Sequence, residues 1–359
     1  PAISGLGFPM VMNIATRDVS APLNIKNGHS DLAAVLGVGW LIFMAPTVQA
    51  SYDMNIIALK AAEAVLLPAF VAYDGFHTSH GTRRINVFAN QDEVRSFIGP
   101  KPTYPNILDV KNPHTLGPYM NDDLINTKVV LDEKMKKAYE ILPSIFKEFG
   151  DLTGRYYSFA EVYGSDEPDA TLVALNSAGE AAKVSVDDMT AEGKKVRLVV
   201  PTVLRPYPEK ELVEAVGSSK NIVVAERVSQ YGAGNYLANE IGASLQKIGN
   251  ASTIISRTYG IGGLNFLPED GVHMFEVGLA YPDVPEDEKT VRGYHGAWAG
   301  DSNYKPVRTI DALTAEETTL NKDLERVNLK KLAEMPNRIE KHSACPGCGI
   351  FTNLNLFLR

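Results

Sequence analysis

Two cysteines near the end of the sequence are the residues best suited to hold a metal. They form one group, Cys345-Pro346-Gly347-Cys348, in a chain with no other cysteine. Two thiolates at this spacing can bind a tetrahedral metal ion or two corners of an iron–sulfur cluster, and both sites normally need four ligands. A redox dithiol needs only two sulfurs, but it normally follows a strand that is not seen here. We expect an iron–sulfur cluster whose remaining ligands lie downstream of Arg359. The alternative is a pair of thiols that bind nothing.

One arginine stands where open α/β sheets bind ligands. Arg17 closely follows the apolar run Phe8–Ala15, and ligands of such sheets bind at the carboxyl ends of the strands. A guanidinium there can hold a carboxylate through two parallel hydrogen bonds. From position alone, a structural ion pair is the commoner role of such an arginine.

Two loops carry histidines. Asn27–Asp31 offers a histidine and an aspartate as an acid–base pair or as the cap of the next helix, and the cap is favoured on local grounds. Asp74–His80 carries His77 and His80 after an apolar run. Because no third ligand stands at a suitable spacing, loop architecture is favoured over a metal site.

Two glycine-rich turns could approach a phosphate through their backbone N–H groups. These are Gly232–Gly234 and Gly260–Gly263. Neither has the full G-x-G-x-x-G spacing, so tight-turn geometry explains them equally well.

Alternating strand and helix patterns predict an α/β fold with two parallel-sheet domains. In the first domain, residues 8–15 and 68–73 predict strands, Thr47 can cap a helix that ends near Leu66, and a later helix covers 132–149 and stops at Gly150. In the second domain, four strands alternate with three helices. The strands are expected at 171–175, 196–200, 221–225 and 253–255, and the helices at 179–191, 208–216 and 234–248.

The sequence beyond Gly263 loses this regularity. Its prolines and acidic residues predict a linker rather than a third core, and the cysteine pair then belongs to a new segment. At the other end, small residues lead directly into the first strand. We therefore expect a domain that begins upstream of Pro1.

Composition limits the partners of the chain. It has 359 residues, 45% of them hydrophobic, which allows two cores. Its 35 Lys and Arg against 43 Asp and Glu give a net charge of −8, which disfavours nucleic acids and anionic membranes. No apolar run approaches the ~20 residues of a membrane span, and the start is unlike a signal peptide. Together with the few cysteines, this predicts a cytoplasmic protein.

Three motifs taken together resemble the thiamine-diphosphate-dependent 2-oxoacid:ferredoxin oxidoreductases, especially their pyruvate-oxidising members. The motifs are Ala15–Ile25, His29–Asp31 and Asp74–His80. The resemblance implies a partial pyrimidine-binding (thiamine) domain at 1–165 and a transketolase C-terminal-like domain at 166–265. A linker then covers 266–340, and 341–359 is similar to the start of the family's β subunit.

By this resemblance, Arg17 contacts the substrate carboxylate, and Cys345 and Cys348 supply two ligands of a 4Fe-4S cluster. The implied reaction is oxidative decarboxylation of a 2-oxoacid, first of all pyruvate, with coenzyme A and ferredoxin, or its reverse. The implied cofactors are thiamine diphosphate, magnesium and the 4Fe-4S cluster, whose remaining ligands are expected outside these 359 residues. The implied partners are the substrates, ferredoxin, γ/δ-type subunits or domains and further copies of the chain in a homo-oligomer.

Two other functions stay open. A non-catalytic assembly subunit would use the cysteine pair for a structural zinc ion, and the sequence after Arg359 would separate it from the enzyme. A transketolase-like thiamine enzyme without ferredoxin is disfavoured, because such an enzyme needs no cluster.

Overall fold

Helices and strands alternate along the amino-terminal half of the chain. The computed structural model describes residues 2–19, 24–100, 110–112, 124–217 and 219–296. The first elements are α1 (Ala2–Leu6), β1 (Val11–Thr16), α2 (Ser30–Ala33), β2 (Leu41–Met44), α3 (Val48–Val65), β3 (Ala69–Asp74), α4 (Gln91–Ile98) and α5 (Leu124–Thr153).

The same alternation continues in the second half. Its elements are β4 (Ala160–Gly164), β5 (Ala170–Ala174), α6 (Asn176–Ala191), β6 (Val196–Pro201), β7 (Val203–Arg205), α7 (Glu209–Val216), β8 (Asn221–Glu226), α8 (Tyr236–Lys247), β9 (Thr253–Thr258), α9 (Pro268–Ala280), a 3₁₀ turn (Tyr281–Asp283) and β10 (Arg292–Tyr294). None of the helices within the described ranges is long and apolar enough to cross a lipid bilayer.

Two mainly parallel sheets organise these elements. The first has the strand order β1-β3-β2-β7 and the second the order β10-β9-β8-β5-β6-β4. All paired neighbours run parallel except β7 beside β2 and β4 beside β6. In parallel sheets the carboxyl ends of the strands share one edge, so the loops after β1, β3, β5 and β8 are the places to look for a site. The predicted α/β fold class with two parallel sheets is confirmed.

Helix α3 agrees with its sequence signals at both ends. The Oγ1 of Thr47 accepts the N–H of Ala50 at 3.0 Å, which caps one of the free N–H groups of the first turn. Leu66 ends the helix in the left-handed conformation, with a φ of 54°. Small buried residues such as Ala58 and Ala61 let the helix lie close to its neighbours. The predicted helix beginning at Thr47 is therefore confirmed.

A shared core joins the two sheets. The Trp40 ring stacks on Phe70 of β3 with 4.1 Å between ring centroids, and the same buried cluster contains Val173 of β5 and Leu237 of α8. Strand β7 directly follows β6 of the second sheet along the chain and pairs with β2 of the first. Both sheets consequently belong to one compact unit, residues 1–297, and loops at their edges can hold fixed positions relative to one another.

One helix extends beyond its sequence-based expectation. Helix α5 contains Pro143 and continues through Gly150, which was predicted to end it, to Thr153. Gly150 is buried inside the helix, where a Cβ would lie 2.1 Å from the Tyr156 ring. A glycine that looks like a helix end is therefore explained by close packing of this ring.

Regular structure continues into the range predicted to be a linker. Helix α9 lies within its first residues and packs on the second sheet, where Met274 and Phe275 are fully buried in the core. Strand β10 then extends that sheet beside β9. The expectation of irregular chain directly after Gly263 is wrong for these two elements. Residues 297–359, which include the rest of the linker and the cysteine segment, lie outside the described residues.

A buried carboxyl closes the amino-terminal end of α8. Glu226, the last residue of β8, is fully buried and accepts the backbone N–H groups of Leu237 and Ala238 at 3.0 and 3.2 Å. Burial raises the pKa of Glu226 to about 8, although the two backbone hydrogen bonds act in the opposite direction. The carboxyl thus satisfies helix N–H groups that no intrahelical carbonyl can reach.

Replacing Glu226 by Gln should change how stability depends on pH. The folded chain keeps this proton to about pH 8, whereas the unfolded chain loses it near 4.5, so between these values the folded state binds more protons and stability falls as pH rises. Relative to the native chain, Glu226→Gln should gain on the order of 1 kcal/mol per pH unit across this window. Urea unfolding at several pH values measures the difference. The exposed Glu214→Gln is the control; a Glu226→Gln curve parallel to the native one would contradict the prediction.

Candidate functional site

Arg17 lies at the carboxyl end of β1, where the sequence placed it. Its Nε donates a hydrogen bond to the carbonyl of Ile25, and its backbone N–H donates to the Oδ2 of Asp31 at 2.9 Å. The side chain is half-buried. Within the described part of the chain, no carboxylate forms an ion pair with Arg17. These contacts do not support a structural ion pair as the role of Arg17. The contact of Arg17 with a substrate carboxylate stays a prediction.

The loop after Arg17 is held in place by several short contacts. The Asp18 Oδ1 accepts the Ser30 hydroxyl at 3.2 Å, and the Ser30 Oγ accepts the N–H of Val19 at 2.7 Å. Gly28 packs directly on Asp18, because a Cβ there would lie 2.1 Å from the aspartate Cγ. A side chain at position 28 would therefore displace the Asp18 carboxylate.

The histidine and the aspartate of this loop do not form a pair. His29 stands at the N-cap position of α2, but its side chain makes no capping hydrogen bond, so the histidine does not provide the cap favoured for this loop. Asp31 instead accepts the N–H groups of Arg17 and Leu32. Burial raises the pKa of Asp31 despite these backbone hydrogen bonds.

The His29 side chain reaches a carboxylate 45 residues away. Its Nε2 lies 2.8 Å from the Oδ1 of Asp74, and both side chains are 0% exposed. Asp74 ends β3 and also accepts hydrogen bonds from two residues at the start of α6. The donors are the Asn176 amide at 3.3 Å, the Ser177 backbone N–H at 3.1 Å and the Ser177 hydroxyl. The carboxylate thus joins loops after β1, β3 and β5, and it faces the positive end of a helix dipole.

The surroundings of Asp74 favour its ionised form. Burial alone would raise the pKa of Asp74, but the hydrogen bond and charge of His29, the charge of Arg227 and the Ser177 hydroxyl together hold the pKa well below its usual range. Arg227 follows β8 directly and is 1% exposed. A fixed negative charge therefore lies where both sheets present their carboxyl ends.

His77 and His80 lie in the loop after β3. Burial and the charge of Arg227 lower the pKa of His77, which favours its neutral form. The Nδ1 of His80 lies 2.8 Å from the hydroxyl of its neighbour Ser79. Across the described ranges, no group of three or more His, Cys, Asp and Glu side chains could hold a metal ion.

A cavity opens beside the Asp74 network. Its volume is about 430 Å³, and its lining includes the beginning of α3 and side chains of both signs. Its polar lining residues include Thr47, His77, Arg83, Arg84, Ser177 and Glu180. The cavity is large enough for a small polar molecule.

The two glycine turns differ in position and in contacts. Asn235, rather than Gly234, precedes the first residue of α8, so the first turn lies just before the helix. In the second turn, the N–H of Gly262 donates to Asp18 at 2.9 Å and that of Gly263 to the carbonyl of Asn27 at 3.1 Å. Because these two N–H groups are already bonded, tight-turn geometry explains the second turn and phosphate binding does not.

Sequence reasoning missed the residues that link the sheets. Ser177 and Arg227 were not singled out, and Asp74 was noted only as part of a loop motif. Their common signal is position, because each lies at or within three residues of the carboxyl end of a buried strand. Cys345 and Cys348 lie outside the described residues, so their role stays a prediction.

Replacing Asp74 by Asn should strongly destabilise the chain. Arg227 would lose a nearby negative charge, and the donors on His29 and Ser177 would lose a charged acceptor. Removing one partner of a buried pair typically costs about 3 kcal/mol or more. Because the folded pKa of Asp74 lies below its ordinary 3.8, this contribution is present above that pH and is lost as pH falls below it. Urea unfolding near neutral pH and near pH 3 measures both effects. The exposed Asp92→Asn is the control, and a loss under about 1 kcal/mol near neutral pH would refute the assignment.

Two family models match the chain. Residues 2–151 match pyruvate flavodoxin/ferredoxin oxidoreductase, thiamine diphosphate-binding, and residues 168–270 match pyruvate:ferredoxin oxidoreductase core domain II. The first match contains Arg17, His29 and Asp74, and the second contains Ser177 and Arg227.

Curated relatives and a solved structure agree with these matches. Pyruvate synthase subunit PorA of Thermotoga maritima is 35% identical over 273 residues, which cover 75% of this chain and 69% of the relative. The Methanocaldococcus jannaschii subunit of the same name is 31% identical over 296 residues, or 80% and 73% of the two chains. The 2-oxoglutarate:ferredoxin oxidoreductase of Magnetococcus marinus shares the fold with a TM-score of 0.50 and 17% identity, covering 77% of this chain and 50% of that one. The chain thus belongs to the 2-oxoacid:ferredoxin oxidoreductase family, as an α-type member.

Proposed function

We propose that this chain is the α-type part of a pyruvate:ferredoxin oxidoreductase. The assembled enzyme would convert pyruvate and coenzyme A to acetyl-CoA and carbon dioxide while reducing ferredoxin, or catalyse the reverse reaction. The observation that carries the proposal is Arg17, which lies without an acidic partner among the described residues at the carboxyl end of β1. It lies within the match to a thiamine-diphosphate-binding domain. The related pyruvate synthase subunits support pyruvate as the substrate.

Arg17 would bind the carboxylate of the 2-oxoacid. Because its Nε donates to the Ile25 carbonyl, the guanidinium is oriented while its two terminal nitrogens have no acceptor among the described residues. Two parallel N–H groups match the two oxygens of a carboxylate. A fixed cation stabilises the bound substrate, and a site that excludes water favours departure of the carboxylate as neutral carbon dioxide.

Thiamine diphosphate, when bound, would supply the electron sink for decarboxylation. The loop that follows Arg17 could bond a polar ligand, because the side-chain amide of Asn27 and the Nδ1 of His29 are buried without a hydrogen-bond partner among the described residues. We propose that Cys345 and Cys348 hold two corners of a 4Fe-4S cluster, because two thiolates at this spacing suit such a cluster. The remaining ligands of the cluster and the magnesium ion would come from other polypeptide segments of the assembled enzyme, which would also include γ/δ-type subunits or domains.

Replacing Arg17 by Ala should impair turnover of pyruvate. Loss of the charged hydrogen bonds to the carboxylate should lower kcat/KM for pyruvate by about 10²-fold, while thiamine and iron contents stay unchanged. Arg17→Lys should recover only part of the activity, because an ammonium cannot form two parallel hydrogen bonds. Steady-state kinetics of the assembled enzyme measure both variants. Arg95→Ala, at an exposed position on α4, is the control; an unchanged kcat/KM in Arg17→Ala would exclude the carboxylate contact.

Replacing Cys345 or Cys348 by Ala should remove iron from the assembled enzyme. Each substitution takes away one of four cluster ligands, so iron and acid-labile sulfide should fall together in protein purified without oxygen, along with the brown colour. Metal analysis and absorption spectra measure this loss. Stoichiometric zinc without sulfide in the native protein would contradict the cluster and favour a structural zinc site.

A further inference from the structure

The turn formed by residues 260–264, called here the glycine turn, packs against the loop that carries Arg17. The N–H of Gly262 donates to the Oδ2 of Asp18 at 2.9 Å, and the Gly262 carbonyl accepts the Asn24 amide at 3.1 Å. The next N–H, that of Gly263, donates to the carbonyl of Asn27 at 3.1 Å. Three hydrogen bonds thus join the second sheet to both ends of the segment around Ile25.

Buried Arg227 supports the glycine turn from its other side. Its Nη1 donates to the carbonyl of Leu264 at 3.0 Å and to that of Gly260 at 3.3 Å. Its own carbonyl accepts the N–H of His29 at 2.8 Å. Among the described residues, no carboxylate lies within ion-pair distance of this arginine. Since a buried guanidinium is costly to place, its main contacts indicate that it fixes the turn and the Arg17 loop together.

The contact at Gly263 leaves no room for a side chain. A Cβ there would lie 2.3 Å from the Cβ of Lys26 and 3.2 Å from the backbone nitrogen of Asn27. Both are atoms of the backbone or directly attached to it, so the loop itself would have to move. Lys26 is bonded to Ile25, whose carbonyl accepts the hydrogen bond from the Arg17 Nε. A shift of Lys26 therefore moves the group that orients the guanidinium.

We propose that the glycine turn is a positioning element for Arg17, with Gly263 and Arg227 as its positioning residues. The second sheet sets the position of the Ile25 carbonyl and, through it, the direction of the guanidinium toward the substrate carboxylate. This inference rests on the proposed function of Arg17. It assigns a role in substrate binding to residues of the second sheet that need not touch the substrate.

A double-mutant cycle in the assembled oxidoreductase tests the proposal. The variants are Gly263→Ala, Arg17→Ala and their combination, assayed for kcat and KM with pyruvate. The matched control is Gly193→Ala: the φ angles of the two glycines are +80° and +81°, but a Cβ at Gly193 meets no atom within 4 Å. Both alanines carry the same backbone strain, and only the one at 263 displaces the Arg17 loop.

Gly263→Ala should lower kcat/KM for pyruvate by about tenfold or more, because a displacement of about 1 Å can cost up to 10²-fold. Gly193→Ala should stay within about twofold of the native enzyme. In the Arg17→Ala background, Gly263→Ala should have almost no further effect, because the group through which it acts is gone. A purely structural role of Gly263 would lower activity by the same factor in both backgrounds.

The outcomes separate this inference from the proposed function. Suppose that Arg17→Ala lowers kcat/KM and that the double variant loses the product of the two single losses. The glycine turn then does not act through Arg17, and only the inference is overturned. An unchanged kcat/KM in Gly263→Ala overturns it as well. If Arg17→Ala itself keeps native kcat/KM, the carboxylate contact fails and the inference fails with it.

Discussion

The buried pair of Asp74 and His29 is the interaction on which the site depends. A carboxylate with no exposed surface is costly unless each oxygen accepts strong hydrogen bonds. Asp74 meets this requirement with donors from three places: the His29 ring, the Asn176 amide and the Ser177 backbone and hydroxyl. If any of these elements moved, the charge would lose part of its compensation. One carboxylate thus joins the loops of the two sheets, in addition to the core that they share.

This constraint also determines where Arg17 lies. His29 is attached through Gly28 and Asn27 to the segment whose carbonyl orients the Arg17 guanidinium. The backbone N–H of His29 donates a hydrogen bond to the carbonyl of Arg227, which follows β8 of the second sheet. The His29 ring is hydrogen-bonded to Asp74 at the end of β3 of the first sheet. The loop is therefore anchored on both sides at the same residue. A guanidinium held in this way keeps its direction at little entropic cost when a carboxylate binds.

Much of the fold, but less of the site, could be predicted from the sequence. The buried strands of the second sheet and the Thr47 cap were predictable, because periodicity and capping are local signals. The edge strands β4, β7 and β10 were missed, since they are short and their pairing depends on distant partners. The same limit applies to His29: the sequence favoured a local helix cap, and the ring in fact contacts Asp74, 45 residues away. The position of Arg17 at the end of a strand was predictable, because a cation directly after an apolar run is a local signal. Its contact with substrate came from the family resemblance and stays a prediction.

The glycine turn shows why a motif alone does not determine a function. Small residues with free N–H groups after a strand are typical of phosphate sites, and the same residues suit any close approach of two backbones. The partners of the N–H groups separate the two cases. Here Gly262 and Gly263 donate to Asp18 and Asn27, so their glycine character serves contact between two loops. A site built in this way depends on residues that bind nothing themselves, because an added methyl group at Gly263 would displace the loop that orients Arg17.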